Sequence, residues 1–431
     1  MITTQRGSID RTLAPEIVDA VDFNLQLKPY QKHVLRNGVE VYSVNAGAED
    51  LMMIEWVYFA GDWFEEKNMV AAATNFLLKN GTSGKTAFQI NEHFEYYGAY
   101  LNRAAYNETS TITLHTLSKH VDKLLPVVRE ILTESIFPEE ELATYKKIMQ
   151  QRLSVNLLKC DFVAHRLIDA SLYGAAHPYG RFSRSEDYDA LTRDQLTEFY
   201  KKYYQGGKFI IFTAGKLPRN LEELLNQNFG DLPNNAVASI DHEIAPAAER
   251  KQRVTNDPNG VQGAIRIGRP FPNRHHPDFL KAQVLNSLFG GFFGSRLMSN
   301  IREDKGYTYG IQSYIQNHIR QTAWIISTEA GRDVCEATVK EIYYEMQRLR
   351  DELVDEEELL LVRNYMMGSI LGELDGPFQI IARWKNIILN GLDENYFYQS
   401  IKTIKAVSAT ELKLLAEKYF QPEQFYELVV V

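Results

Sequence analysis

The sequence predicts an α+β protein of two homologous lobes, each a mostly antiparallel sheet with helices packed on one face. Three observations carry this. Residues 192–215 and 408–431 echo each other: a capping box (Thr192 with Gln195, Ser408 with Glu411), a helical pattern ending at Tyr203-Tyr204-Gln205 or Tyr419-Phe420-Gln421, then a β-rich run. Thr192 corresponds to Ser408 and Gln205 to Gln421, a constant offset of 216. Earlier segments repeat in the same order, more loosely. In a chain of 431 residues that offset is about half the length, which means a duplicated domain. Solenoid repeats recur at about 20–50 residues.

The elements follow in order. Residues 1–26 show little periodicity and read as an N-terminal extension. The first lobe, 27–235, offers a strand over 52–60 closed by Gly61, a helix over 69–80 closed by Gly81-Thr82, paired strands over 99–105 and 109–116, and an amphipathic helix over 119–135. Asn, Ala and Pro dominate the stretch 236–250, where periodicity lapses, so it reads as a linker. The second lobe, 251–431, repeats the set. It has a strand over 264–267 closed by Gly268, a helix over 278–289 closed by Gly290-Gly291, strands over 307–315 and 322–328, and a helix over 333–349.

Composition excludes several functions. Apolar residues make up 45% and charged residues 24%, ordinary for a globular protein. The formal net charge is −9 and no long basic run occurs, so the footprint of a nucleic-acid binder is missing. Cys160 and Cys335 are too few for a disulfide framework and read as small buried apolar residues. The N-terminus lacks the apolar core of a signal peptide, and no run approaches the ~18 apolar residues of a membrane span. A cytoplasmic location is the expectation.

The chemistry concentrates in 290–310. There Gly290-Gly291 and Gly294 precede Ser295-Arg296-Leu297, and Arg302-Glu303-Asp304-Lys305-Gly306-Tyr307-Thr308-Tyr309-Gly310 leads into a strand. A guanidinium at Arg302 and a phenol at Tyr309 can together hold and polarise a peptide carbonyl. The bland alternative makes Arg302 a helix-end ion pair and Tyr309 a strand aromatic. The glycines lack the Lys-Ser/Thr of a phosphate loop and read as a tight, closely packed turn. In the first-lobe helix, positions 72 and 76 share a face. Two histidines there, with a glutamate at 75, would chelate zinc and activate its water. The chain has Ala72, Asn75 and Phe76 instead. His115, His120, His275 and His276 have no carboxylate at ligand spacing and read as packing or surface residues.

On these residues the chain resembles the pitrilysin/insulinase family of zinc metallopeptidases, in the short two-lobed form akin to mitochondrial processing peptidase subunits. The resemblance runs from about Leu27 to the end. It rests on Gly81-Thr82, Gly98-Ala99-Tyr100-Leu101-Asn102, His177-Pro178-Tyr179-Gly180-Arg181, Gln262 with Gly268, and above all the 290–309 stretch. It implies that the inverted zinc motif H-x-x-E-H falls on residues 72–76 and the distal glutamate ligand near Gln151, so every ligand and the general base are replaced. It further implies that Arg302 and Tyr309 bind the substrate carbonyl and the tetrahedral intermediate, with Tyr307 a weaker candidate and Gly290 and Gly291 lining the chamber. The role implied is a zinc-less subunit paired with a homologous zinc-bearing chain, acting on a peptide held along a sheet edge, with no metal or cofactor of its own. The alternative is a non-enzymatic scaffold, like the core subunits of respiratory cytochrome complexes, or a peptide-binding homodimer.

Overall fold

The β-branched and aromatic runs separated by glycine turns form eleven strands in the computed structural model, which describes residues 18–431. Most of the N-terminal extension lies outside the described residues. The first sheet contains β1 (Gln31–Val34), β2 (Glu40–Asn45), β3 (Leu51–Tyr58), β4 (Tyr100–Ala105), β5 (Ser110–Leu117) and β6 (Phe209–Gly215), in the order β1-β2-β6-β3-β5-β4. The second contains β7 (Lys251–Val254), β8 (Gln262–Phe271), β9 (Thr308–Asn317), β10 (Thr322–Gly331) and β11 (Tyr426–Val430), in the order β7-β11-β8-β10-β9. Leaving out the edge strand β1, the two orders are the same. Each sheet has one parallel pair at the same place, β2 with β6 and β7 with β11, and is otherwise antiparallel. The duplication read from sequence is thus a duplication of topology.

Both capping boxes form. The Gln195 and Glu411 backbone N–H groups donate to the Thr192 and Ser408 hydroxyls at 3.3 Å, and the side chains at 195 and 411 accept in return from the cap backbones. They start the helices Arg193–Tyr200 and Ala409–Tyr419, whose buried faces feed the two cores.

Each lobe's own helices gather on one face of its sheet. The opposite face is covered by a helix lent by the other lobe. Helix Cys160–Tyr173 lies across β8 and β11, and helix Pro377–Leu389 lies across β6 and β2. One core therefore joins Ile54, Trp56 and Ile112 of the first sheet to Ala264, Ile325 and Leu428 of the second. The other joins Ile265 and Trp324 to Met53, Val57 and Phe212. Strands buried on both faces read as continuous apolar runs, and β6 is buried at every position.

An ion pair fastens each clasp, with the charges exchanged. On the first sheet Glu55 of β3 accepts from Lys385 of the lent helix at 2.7 and 2.8 Å. On the second, Arg266 of β8 pairs with Asp161 of its lent helix. Glu55 stands opposite Phe212 and Arg266 opposite Leu428, positions that differ by the repeat offset, so the two sheet residues are structural equivalents.

The His177–Arg181 turn completes the seam. Arg181 pairs with buried Glu65 at 2.7 Å. The Tyr179 hydroxyl donates to Glu108, which also accepts from the Ile319 backbone of the second lobe at 2.9 Å. The Tyr179 ring stacks on His318 with centroids 4.0 Å apart. Burial pushes the Asp62 carboxyl beside this turn up to about 8, helped by the neighbouring Glu65.

Candidate functional site

The first-lobe helix forms over Val70–Leu77, shorter than the pattern predicts, and starts from Met69 in the left-handed conformation (φ 72°). Two N–H groups of this opening turn, from Met69 and Ala71, donate to Glu65 at 3.1 and 2.8 Å. Ala72 is half-buried. Asn75 is buried and donates to the Tyr204 hydroxyl at 3.1 Å and the Thr111 carbonyl at 3.4 Å. The Phe76 ring packs against Tyr145, centroids 5.0 Å apart, under the Arg103 guanidinium at 5.2 Å. Arg103 also donates to the Phe76 carbonyl and to Asn80. Burial pulls its pKa down to about 10. Gln151 is exposed on helix Glu139–Asn156, which also carries Tyr145.

These residues do not fit a zinc ion. A methyl, a phenyl ring and a carboxamide already spent on a tyrosine offer no ligand set, and a guanidinium stands over the place a dication would take. Among the described residues no group of three or more His, Cys, Asp and Glu is arranged to hold a metal.

The second-lobe counterpart is open. Helix Phe279–Asn286 widens into a π-helical turn over Ser287–Gly291, and a second π-helical stretch, Met298–Asp304, carries Arg302. Such widened turns recur at functional sites. A Cβ at Gly290 would lie 2.8 Å from the Ser313 Cβ and 2.9 Å from its backbone nitrogen, so only glycine lets this turn press on β9. That is the close packing the glycine cluster suggested.

The structure brings Arg302 and Tyr309 together. The guanidinium carbon lies 5.8 Å from the Tyr309 ring centroid and 4.6 Å from that of Phe293. Its ion pair to Glu303 is long, 3.9 Å, so the bland reading of Arg302 as a helix-end salt bridge explains little. Tyr309 is 94% exposed on the sheet-edge strand β9. A bulge turns it outward: Ile311 pairs with Thr328 and Thr308 with Ala330, leaving Tyr309 and Gly310 opposite Glu329 alone. The Thr308 and Thr328 hydroxyls, 2.8 Å apart, tie the bulge down.

Tyr307 departs from expectation. Spacing puts it on the same strand face as Tyr309, but β9 begins at Thr308. Tyr307 is half-buried, and its N–H donates to the Ile301 carbonyl at 3.0 Å. The bulge breaks the alternation that the spacing assumes. Gly290, Gly291, Tyr307 and Tyr309 all line one cleft of about 890 Å³. Asp161 and Gln262 also line it, so the first lobe's lent helix forms part of its wall. Sequence reasoning missed Phe293, which is 59% exposed under Arg302, and Asp161. An apolar ring between the turn glycines was the available signal for Phe293; nothing local signals Asp161.

The remaining candidates are structural. His115 packs edge-on against Phe378, His275 meets the Asn390 carbonyl at 3.0 Å, and the His276 ring accepts from the Asp278 N–H at 3.1 Å. Cys335 is buried as expected, whereas Cys160 is only half-buried.

The fold is a duplicated two-lobed α+β architecture, with a metal-free helix face in the first lobe and an open cleft beside Tyr309 in the second. The family description that matches, over residues 190–366, is the peptidase M16 inactive domain. An uncharacterized zinc protease, YmxG, of Bacillus subtilis is 22% identical over 403 residues, 93% of this chain and 98% of that one. The mitochondrial cytochrome b-c1 complex subunit 1 of Bos taurus is 22% identical over 79% of this chain and 74% of its own length. The crystal structure of a peptidase M16 inactive domain from Pseudomonas fluorescens superposes with a TM-score of 0.84 at 23% identity, covering 93% of this chain and 98% of that one. The chain is thus similar to the peptidase M16 inactive domain, in sequence over residues 190–366 and in fold over nearly its whole length. Among the described residues no helix is long and apolar enough to cross a membrane.

Proposed function

We propose that this chain is the zinc-less subunit of a cytoplasmic heteromeric metallopeptidase. A homologous partner chain supplies the zinc site. This chain supplies Arg302 and Tyr309, which bind the substrate carbonyl and stabilise the tetrahedral intermediate across the subunit interface. The observation that carries the reading is the pairing of Arg302 with Tyr309, turned outward by a bulge beside an open cleft, in a molecule whose residues at 72, 75, 76 and 151 offer no zinc ligand set. A guanidinium and a phenol aimed at one developing oxyanion are the donors that peptide hydrolysis needs. The unpaired side of β9 supports strand addition by an extended peptide, with Gly290 and Gly291 as cleft lining and Tyr307 as a secondary contact.

A scaffold or peptide-binding homodimer is the second reading, favoured by the similarity to a cytochrome b-c1 complex subunit. Mixing separates the two. On the subunit reading, this chain alone and a zinc-bearing homologue alone are nearly inactive on a quenched peptide, and the mixture is active. A mixture no faster than the zinc-bearing chain by itself leaves only the scaffold reading.

A further inference from the structure

Away from the cleft beside Tyr309, a cavity of about 320 Å³ opens among three helices of the second lobe. That is roughly ten water volumes at about 30 Å³ each. Its walls are Arg274 from the loop after β8, Gln283 from helix Phe279–Asn286, Arg383 and Asn386 from helix Pro377–Leu389, and Tyr396 and Ser400 from helix Glu394–Ala406. All six present N–H or O–H donors. The Nε of Arg274 and the hydroxyl of Tyr396 are fully buried beside each other; a guanidinium can only donate, so the Tyr396 O–H is left without an acceptor among the described residues. A buried donor without an acceptor is costly, and each such group calls for an explanation.

The charge is also unbalanced. The one carboxylate on the wall, Glu373, is exposed at the rim and pairs with Arg383. Arg274 is left without a counter-charge among the described ion pairs. Burial pulls its pKa below the usual guanidinium range, against the opposing contact with the Tyr396 hydroxyl.

We propose that this cavity binds a small oxyanion of the phosphate or phosphate-ester class. A guanidinium presents paired donors that match phosphate or carboxylate. The convergence of donors from four segments favours the ligand with more oxygens. The cavity has room for a phosphate with a small organic group. Its wall helix Pro377–Leu389 is also the clasp on the first sheet, through Lys385 on the same helix. An occupied cavity therefore braces the junction between the lobes.

Calorimetric titration of the full-length protein with inorganic phosphate, at fixed ionic strength set by chloride, tests this. Succinate serves as the carboxylate arm. The expected result is saturable phosphate binding tighter than succinate binding, with a matching rise in Tm. Arg274→Met weakens it at least roughly tenfold, the scale of a lost charge-assisted hydrogen bond. Tyr396→Phe, which removes a hydroxyl that meets Arg274 but has no acceptor of its own, weakens it by about threefold or more and keeps the test valid if Arg274→Met does not fold. No saturable phosphate binding, succinate bound in preference to phosphate, or phosphate affinity unchanged in Tyr396→Phe would each overturn the assignment.

Discussion

The helix Val70–Leu77 and its second-lobe counterpart Phe279–Asn286 hold the same place in the two repeats, yet they end differently. In the first lobe the helix face at Phe76 is covered in part by Tyr145 and Arg103. In the second, the turn beyond the helix stays open and exposes Tyr309 almost completely. The Phe76 ring of the first lobe gains contact with Tyr145 and the Arg103 guanidinium, which is ordinary packing. An exposed tyrosine propped outward by a bulge adds little to packing, so its place needs another reason. The clasps differ in the same instructive way. Equivalent sheet positions carry Glu55 in one lobe and Arg266 in the other, each matched by its own lent helix. Each helix fits the opposite sheet and would bring like charge toward the wrong one, which enforces correct docking of the lobes.

The clasps offer the largest effects. Lys385→Ala leaves Glu55, 7% exposed, without its cation and should cost about 3 kcal/mol or more in urea unfolding. A loss under about 1 kcal/mol would mean that apolar packing alone holds the lobes. Asp161→Ala should cost less. Arg266 is buried but keeps carbonyl acceptors at Ile265, 3.0 Å, and Thr328, 3.4 Å, and the Asp161 side chain is half-exposed. Equal losses in the two variants would erase the asymmetry described here.

The seam should respond to pH. Asp62 is raised from 3.8 to about 8 by burial first and Glu65 second. The folded state therefore keeps a proton that the unfolded chain releases near pH 4. That stabilisation is fully present below about pH 4 and drains away as pH rises towards 8. Wild-type Tm should fall by about 2 °C or more between pH 5 and 8, and Asp62→Asn should flatten that part of the profile. A wild-type Tm that rises across this window would contradict a protonated Asp62. Smallest of all, Tyr309→Phe should change stability by no more than about 0.5 kcal/mol, since the ring is exposed and its hydroxyl is in solvent. A larger change would make Tyr309 structural and remove the contrast between the lobes.

Much of the fold was legible in the sequence, for reasons visible in particular residues. The Thr192 and Ser408 capping boxes are local chemistry and form as read. The repeat offset shows directly in the shared strand order. The nearness of Arg302 to Tyr309 followed from a short helix end and a glycine turn. What escaped depends on tertiary context. No local pattern says that helix Cys160–Tyr173 covers the other lobe's sheet, or that Asp161 reaches the cleft wall. The bulge at Tyr309 and Gly310 interrupts the period-two rule and separates Tyr307 from Tyr309. Arg103 over Phe76 joins residues that are far apart in sequence.

The central claim is that Arg302 and Tyr309 work on a substrate held by another chain's zinc. It is tested most directly by peptide turnover in an equimolar mixture with a zinc-bearing homologue, with assembly followed by size-exclusion chromatography. Arg302→Ala should lower the mixture's kcat by roughly a hundredfold or more, the scale of one lost oxyanion donor, while the complex still elutes intact. Full turnover by the mixture containing Arg302→Ala, with the complex equally assembled, would contradict it.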